Sequence, residues 1–301
     1  MTIWHPVDDP HSDLTSHDTF SSGVPHNTFA RLRNEDPIHW TDYKEGKGFW
    51  SITRHHDIAK MIGNTKVFTS EQGIRMEDQT HEEYLARRTF QEIDGTGHRN
   101  SRMKAAKAFS GPVIIEFEEK IRSLCSDILD NTLPMIDFDA TKHIERELPM
   151  RMLGRILGLP EEDLPWLVEK GDALIANTDP DFTDHVLDKL DTNEFRLMPH
   201  NSPAGAELYE YAETLMEKRL KTDNTNSILH MVMQPAVDGS KLSETEFKNF
   251  FCQLVAAGND TTRYSIAAGI HALCHQPELL KQMKNEPTVW ETAPDEIVRW
   301  A

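Results

Sequence analysis

The stretch that most constrains the fold is an apolar run from Phe250 to Leu273 that a polar block interrupts. The apolar residues recur at helical spacing, which predicts one long helix with a continuous inner face. The interruption, at residues 256–262, has the sequence AAGNDTT. Glycine costs a helix interior about 1 kcal/mol relative to alanine, and Asn, Asp and Thr compete there for backbone hydrogen bonds. A locally unfavourable segment within a consistent pattern is typical of a functional site.

The polar block places an acid beside an alcohol. Thr261 follows Ala257 by four residues, so its hydroxyl can donate to that carbonyl, an arrangement that bends helices. With Gly258 adjacent, we expect the helix to open into a local bulge or kink. Asp260 and Thr261 could then relay protons through water over an apolar cavity. The alternative is a buried helix that begins at Asp260 as its N-cap, but the apolar run starts well before this residue.

Residues 257–262, AGNDTT, resemble the signature of the long central helix of cytochromes P-450, the haem-thiolate monooxygenases. The resemblance implies that Asp260 is the acid and Thr261 the catalytic alcohol in delivering protons to dioxygen. It also implies that Ala257 and Gly258 contact the haem.

A second motif is the pair Glu296 and Arg299, three residues apart and therefore on one helix face. A carboxylate and a guanidinium so placed can pair with bidentate geometry. Taken alone, the pair is typical of a common surface salt bridge. At this distance after the central helix it resembles the family's Glu-x-x-Arg pair, which implies a structural role and not a catalytic one.

A third motif is His98 with Arg102, four residues apart on one predicted helix face. Two such donors suit a pair of carboxylates on a ligand, although a basic, solvated helix start is an equally good interpretation of the spacing. The pattern resembles the family's His-x-x-x-Arg helix, whose two side chains hold the haem propionates. Residues 95–97, GTG, depart from that family, in which prolines and an acid usually precede the histidine.

Weaker similarities to the family follow in the same order along essentially the whole chain. We therefore predict a mainly α fold of the cytochrome P-450 type with a small β portion, incomplete at its C-terminal end. Residues 37–43 and 48–54 flank residues 44–47 and predict a hairpin. No Gly/Ser-rich linker or internal repeat divides the sequence, so we predict a single domain over residues 1–301.

Charge and cysteine content limit the functional classes. A net charge of −18 argues against a general nucleic-acid binder, whose signature is a basic patch. Residues 1–20 are polar and contain neither a signal peptide nor a membrane anchor, so the chain resembles soluble bacterial members of the family, and we expect a cytoplasmic protein. Cys125, Cys252 and Cys274 lack metal-ligand spacing; we expect a reducing compartment and a small buried thiol at each position.

The family resemblance implies heme b, whose iron is held by a cysteine in a downstream loop, Phe-x-x-Gly-x-x-x-Cys-x-Gly. None of the three cysteines has those neighbours, so we expect no metal ligand in these residues. The sequence then corresponds to the N-terminal and central part of the fold, and we expect the 301 residues alone to be inactive. The alternative is a haem-less fragment or binding module of the same fold.

For the complete protein the resemblance implies insertion of one oxygen atom from dioxygen into a C–H bond. The electrons come from NAD(P)H through a ferredoxin or similar partner. Bulky apolar residues suit a lipophilic substrate of the steroid, terpenoid or fatty acyl type. We expect substrate contacts from the central helix, from the loop of residues 73–90 and from the lid of residues 179–201. The candidate pocket residues are Ile74, Met76, Phe251, Leu254 and Val255.

Overall fold

The structure is a computed structural model that describes residues 9–21, 23–44, 46–74, 78–176, 179, 194–219, 228–235 and 239–300. Helices dominate these residues, and the predicted mainly α class with a small β portion is confirmed. Backbone contacts divide the chain into two compact units, Met1–Arg99 and Asn100–Ala301.

The first unit contains the predicted hairpin. Strands β1 (Ile38–Thr41) and β2 (Phe49–Ile52) pair antiparallel, with Trp40 opposite Trp50. The two indole rings meet edge to face with centroids 5.1 Å apart, a favourable aromatic geometry. Gly48 enters β2 with φ +81°, and a Cβ there would lie 2.7 Å from the Thr41 carbonyl oxygen, so the turn requires glycine. The described helices of this unit are α1 (His17–Ser21), α2 (His26–Glu35), α3 (His55–Ile62) and α4 (His81–Arg87).

A further helix, α5 (Gly95–Ala106), contains the point at which the two units divide. The second unit is built around the predicted long helix. Its described helices are α6 (Gly111–Ile115), α7 (Glu118–Thr132), α8 (Glu147–Leu157), α9 (Leu164–Ile175), α10 (Pro203–Arg219), α11 (Ile228–Met233), α12 (Glu244–His275), α13 (Pro277–Asn285) and α14 (Val289–Trp300). A π-helical turn, Thr141–Glu145, precedes α8.

The 32-residue helix α12 is the centre of the second unit. It begins at a capping box, in which the Ser243 hydroxyl accepts from the Glu246 amide and the Glu246 carboxylate accepts from the Ser243 amide. Its inner face packs against α8, α9 and α10. Phe247, Phe251 and Val255 are fully buried there. Burial of each such side chain contributes about 1.5–3 kcal/mol, which fixes α12 against its neighbours.

Among the residues that the structure describes, no helix combines the length and the hydropathy that crossing a bilayer requires.

The close approach of α8 and α9 gives a test of this packing. A side chain at Gly154 would run into Leu164, which is itself buried. We expect Gly154→Val to lower the free energy of unfolding by about 1–3 kcal/mol, the usual cost of overpacking. Urea unfolding followed by circular dichroism measures this change.

The matched control is Gly111→Val, because a Cβ at Gly111 meets nothing within 4 Å. This variant should stay within about 0.5 kcal/mol of the unchanged protein. Equal losses for the two variants would show that the contact with Leu164 is not the cause.

Candidate functional site

The outward face of α12 carries the predicted alcohol. Ala257, Thr261 and Tyr264 are exposed and form what we call the open strip. The Thr261 hydroxyl donates to the Ala257 carbonyl at 3.0 Å, which confirms the predicted back-bond. Ser265 repeats the arrangement one turn later, its hydroxyl donating to the Thr261 carbonyl at 2.8 Å. Two successive turns of the open strip therefore have their carbonyls bonded by side chains.

The polar block does not open the helix. Residues 244–275 form one unbroken α-helix, so the expected bulge at Gly258 is absent from this part of the structure. Gly258 faces α8, where a Cβ would lie 3.0 Å from Leu153 Cδ2. This distance is tighter than ordinary van der Waals contact. The missing side chain therefore allows α12 to approach α8 closely.

Asp260 lies at the edge between the open strip and the buried face. Its Oδ1 accepts a hydrogen bond from Arg263 Nη2 at 2.7 Å. The same guanidinium donates through Nη1 to Asp172 Oδ1 of α9 at 2.9 Å. The Asp172 side chain is only 7% exposed, while those of Asp260 and Arg263 are each 20% exposed. One arginine thus joins the predicted catalytic acid to a buried carboxylate on another helix.

Two more side chains complete the surroundings of Asp172. Arg146, at the start of α8, donates from Nε to Asp172 Oδ2 at 2.5 Å. Asn259, 0% exposed, donates from Nδ2 to Asp172 Oδ1 at 3.1 Å. Glu145 Oε2 and Asn259 Oδ1 are buried and lack a hydrogen-bond partner among the described residues. Buried polar atoms of this kind are usually satisfied by ordered water.

The electrostatics favour a proton on Asp260 and on Glu145. Burial raises the pKa of Asp260; the Arg263 guanidinium opposes that rise, and the Asp172 carboxylate adds to it. Burial likewise raises the pKa of Glu145, against the lowering effect of its hydrogen bond with Thr141. Asp260 therefore holds a proton to higher pH than a free aspartate does.

Sequence reasoning missed Asp172, Arg146, Glu145 and Arg263. Asp172 lies 91 positions before Arg263, so no local motif connects them. The sequence of α9 does contain a signal for this site. Asp172 lies on the buried face of the helix, between the apolar residues Val168 and Leu174. A lone acid at an apolar position of a helix indicates a buried polar partner.

The predicted Glu-x-x-Arg pair forms with the expected bidentate geometry in α14. Arg299 donates from Nε to Glu296 Oε2 at 2.7 Å and from Nη2 to Oε1 at 2.6 Å. The hydrogen bonds and charge of Arg299 lower the pKa of Glu296. Both side chains are exposed, so in this structure the pair lies on the surface of α14.

The predicted cationic pair lies within α5. His98 Nδ1 is 2.8 Å from the Phe90 carbonyl oxygen, and the two rings meet edge to face. Arg102 is exposed and makes no hydrogen bond or ion pair with any residue in the described ranges. A guanidinium without an internal partner is available to an anionic group.

The candidate pocket residues have different environments. Phe251 and Val255 are fully buried in the core of the second unit, and Leu254 is half-buried. Ile74, in the first unit, is exposed. Met76 lies outside the described residues, as do residues 180–193 of the predicted lid.

The cysteines follow the expectation of buried thiols only in part. Cys252 is 1% exposed, and burial raises the pKa of its thiol to about 12. Cys125 is half-buried, and burial raises its pKa too. For Cys274 the expectation is wrong, because it lies exposed near the end of α12. No group of three or more His, Cys, Asp or Glu in the described ranges could hold a metal ion.

A solved structure has the same fold. This chain superposes on Mycobacterium marinum cytochrome P450 CYP268A2, in complex with pseudoionone, with a TM-score of 0.82. The two are 27% identical, and the match covers 100% of this chain and 72% of that chain. The fold of this chain is therefore that of a cytochrome P450.

Sequence relatives agree with this class. The chain is 30% identical over 305 residues to putative cytochrome P450 126 of Mycobacterium tuberculosis, covering 96% of this chain and 69% of that protein. It is also 30% identical over 289 residues to the steroid C26-monooxygenase of Mycolicibacterium smegmatis, of which it spans 64%. The chain belongs to the cytochrome P450 family. No family model matches the sequence.

The ion pairs of Asp172 with Arg146 and Arg263 predict a large loss in the free energy of unfolding when Asp172 is removed. Removing one partner of a buried pair costs about 3–5 kcal/mol because the other charge stays buried and unpaired. We expect Asp172→Ala to cost about 3 kcal/mol, the lower end of that range, because the side chain of Arg146 is 37% exposed and can hydrate. Urea unfolding measures the loss.

The control is Glu161→Ala, which removes the carboxylate that pairs with Arg155 at 2.7 Å. The Glu161 side chain is exposed, so its loss should cost no more than about 1 kcal/mol. A loss for Asp172→Ala no larger than for this control would contradict the importance of the buried pairs.

Proposed function

We propose that this sequence is the N-terminal and central part of a haem-dependent monooxygenase that inserts one oxygen atom from dioxygen into a C–H bond. The observation that carries the proposal is the acid–alcohol pair, Asp260 and Thr261, at the open strip of α12 in a chain of this family. The substrate is lipophilic, of the steroid, terpenoid or fatty acyl type. In support, one relative is a steroid C26-monooxygenase and one similar structure contains pseudoionone.

The chain's own residues fit parts of a heme b site. His98 and Arg102 of α5 would hold the propionates, a role that suits the unpartnered Arg102 guanidinium. Ala257 and Gly258 would border the haem through the backbone of α12, where Ala257 is exposed on the open strip. When bound, haem supplies the oxidising chemistry that amino-acid side chains cannot provide.

Asp260 and Thr261 would deliver protons together, Asp260 as the acid and Thr261 as the alcohol that holds a water. Asp260 holds a proton more readily than a free aspartate does, for the reasons of burial and charge given above. Thr261 keeps its hydroxyl oxygen at the open strip as an acceptor while its proton is committed to the Ala257 carbonyl. A water held by that oxygen can pass the proton outward. Electrons would come from NAD(P)H through a ferredoxin or similar partner, and we place the reaction in the cytoplasm.

The remaining residues orient the substrate and support the fold. Ile74, Met76 and Leu254 would contact the lipophilic substrate, while Phe251 and Val255, fully buried, would shape the pocket from beneath. Glu296 and Arg299 would act as a structural pair.

We further infer that the 301 residues by themselves do not form a haem-thiolate centre. A cysteine thiolate would have to hold the haem iron for the group to supply its oxidising chemistry. Cys252 is a poor source of a thiolate, because its thiol is buried and its pKa is raised to about 12. Neither Cys125 nor Cys274 has the glycine-rich neighbours of the family's ligand loop. A spectrum typical of thiolate ligation in the carbon monoxide complex of this chain would contradict the inference.

Replacing the alcohol tests the proton route. In the haem-loaded full-length protein, we expect Thr261→Ala to lower product formed per electron roughly tenfold or more, since positioned proton transfer contributes about 10²–10⁴-fold. Electron uptake should continue and release peroxide. The control is Thr262→Ala, the neighbouring exposed threonine. If product per electron stays unchanged in Thr261→Ala, Thr261 is not the catalytic alcohol.

Replacing the cation tests haem binding directly. We expect Arg102→Ala to weaken binding of haem by the 301-residue chain roughly tenfold, because a charge-assisted hydrogen bond contributes about 1.5–3 kcal/mol. Quenching of tryptophan fluorescence during a haem titration measures the affinity. Arg99→Ala is the matched control, an exposed arginine on the same helix. Equal effects of both variants would mean that net charge, not the Arg102 position, governs binding.

A further inference from the structure

Arg263 is shared by two carboxylates from different helices. Its Nη2 donates to Asp260 Oδ1 at 2.7 Å, and its Nη1 donates to Asp172 Oδ1 at 2.9 Å. An exposed i,i+3 ion pair is worth little, because water screens it and its side chains are mobile. This pair differs, because Asp172 is nearly buried and anchors Arg263 from α9.

Arg263 and Asp172 act directly on Asp260, and these two residues in turn lie near further charged groups from the elements packed against α12. Arg263 lies on α12 itself, Asp172 comes from α9, and Glu145 and Arg146 come from the π-helical turn and the start of α8. We call these five residues the acid–guanidinium cluster. It holds three carboxyl groups, of Glu145, Asp172 and Asp260, and two guanidinium groups. One proton on the cluster therefore makes it neutral.

The carboxylates of the cluster differ in how fully they are hydrogen-bonded. Asp172 accepts hydrogen bonds from Arg146, Arg263 and Asn259. Asp260 accepts from Arg263 through Oδ1, and its Oδ2 has no partner within the described ranges. Asp260 also lies beside the open strip, with 20% of its side chain exposed, whereas Glu145 is buried. Asp260 is thus the member that can exchange a proton with the open strip.

We propose that Arg263 and Asp172 are positioning residues for Asp260: the shared guanidinium fixes Oδ1 and leaves Oδ2 to take up and release the proton. Asp172 limits how strongly Arg263 holds Asp260, because both carboxylates compete for one cation. The proposal rests on the proposed function and deepens it, since it assigns the control of the proton donor to residues outside the AGNDTT motif.

The two positioning residues have opposite effects on the acid. Replacing Asp172 with asparagine removes a negative charge and leaves the Arg263 cation to Asp260 alone, so Asp260 releases its proton at lower pH. Replacing Arg263 with glutamine leaves two part-buried carboxylates facing each other, so Asp260 keeps its proton to higher pH. A merely structural role for both residues does not produce shifts of opposite sign.

The test is a titration of the 301-residue chain labelled with ¹³C at the aspartate side-chain carboxyl groups. Asp260→Asn assigns the Asp260 resonance by its disappearance. We expect the midpoint of that resonance to move to lower pH in Asp172→Asn and to higher pH in Arg263→Gln. Glu161→Gln, which removes the pair with Arg155 elsewhere in the same unit, should leave the midpoint unchanged. Circular dichroism checks that each variant is folded.

If Arg263→Gln does not fold, Arg263→Lys replaces it, since a lysine cannot span two carboxylates with a planar fork. In Arg263→Lys, the titration midpoint of the Asp260 resonance should also move to higher pH. Shifts of the same sign in the Asp172 and Arg263 variants, or no shift in either, overturn the proposal.

The titration needs no haem, so its outcome is separate from that of the proposed function. Opposite shifts together with an unchanged product per electron in Thr261→Ala would keep Arg263 and Asp172 as positioning residues and reject the proposed proton route. In the haem-loaded protein, the pH dependence of product per electron should move in the same two directions.

Discussion

The second unit depends on the burial of one face of α12. Its aromatic and aliphatic residues pack against α8, α9 and α10, and its capping box fixes where the helix begins. A 32-residue helix held in this way can include residues that would weaken a shorter one, because tertiary packing and not propensity supplies most helical stability. The polar block at residues 256–262 is therefore tolerated without any break in the helix.

Burying Asn259 and part of Arg263 beside an apolar core has a cost unless both find partners. Asp172 meets that need, since it accepts from both residues and from Arg146. The carboxylate in turn is stable at 7% exposure only because these donors surround it. The cluster and the helix packing thus require each other, and loss of Asp172 would disturb both.

The sequence alone predicted those features that depend on neighbours along the chain. Spacing of four residues was sufficient for the bond from Thr261 to Ala257, and spacing of three for the pair in α14. Contacts between distant segments were missed, since Asp172 and Arg263 are 91 positions apart and only the packing of α9 on α12 joins them. Gly258, where the sequence predicted a bulge, instead serves a contact between distant segments, because Leu153 of α8 lies where its side chain would be.

The residues of the polar block divide between two tasks according to their direction around the helix. Successive residues turn by about 100° in an α-helix, so neighbours in the sequence face different surroundings. Gly258 and Asn259 serve the packing, whereas Ala257 and Thr261 lie on the open strip. Asp260 lies at the boundary, where its side chain pairs with Arg263 and is 20% exposed. In the proposed function, an acid in that position would have its protonation state set by the charges of the core and would deliver its proton to the open strip.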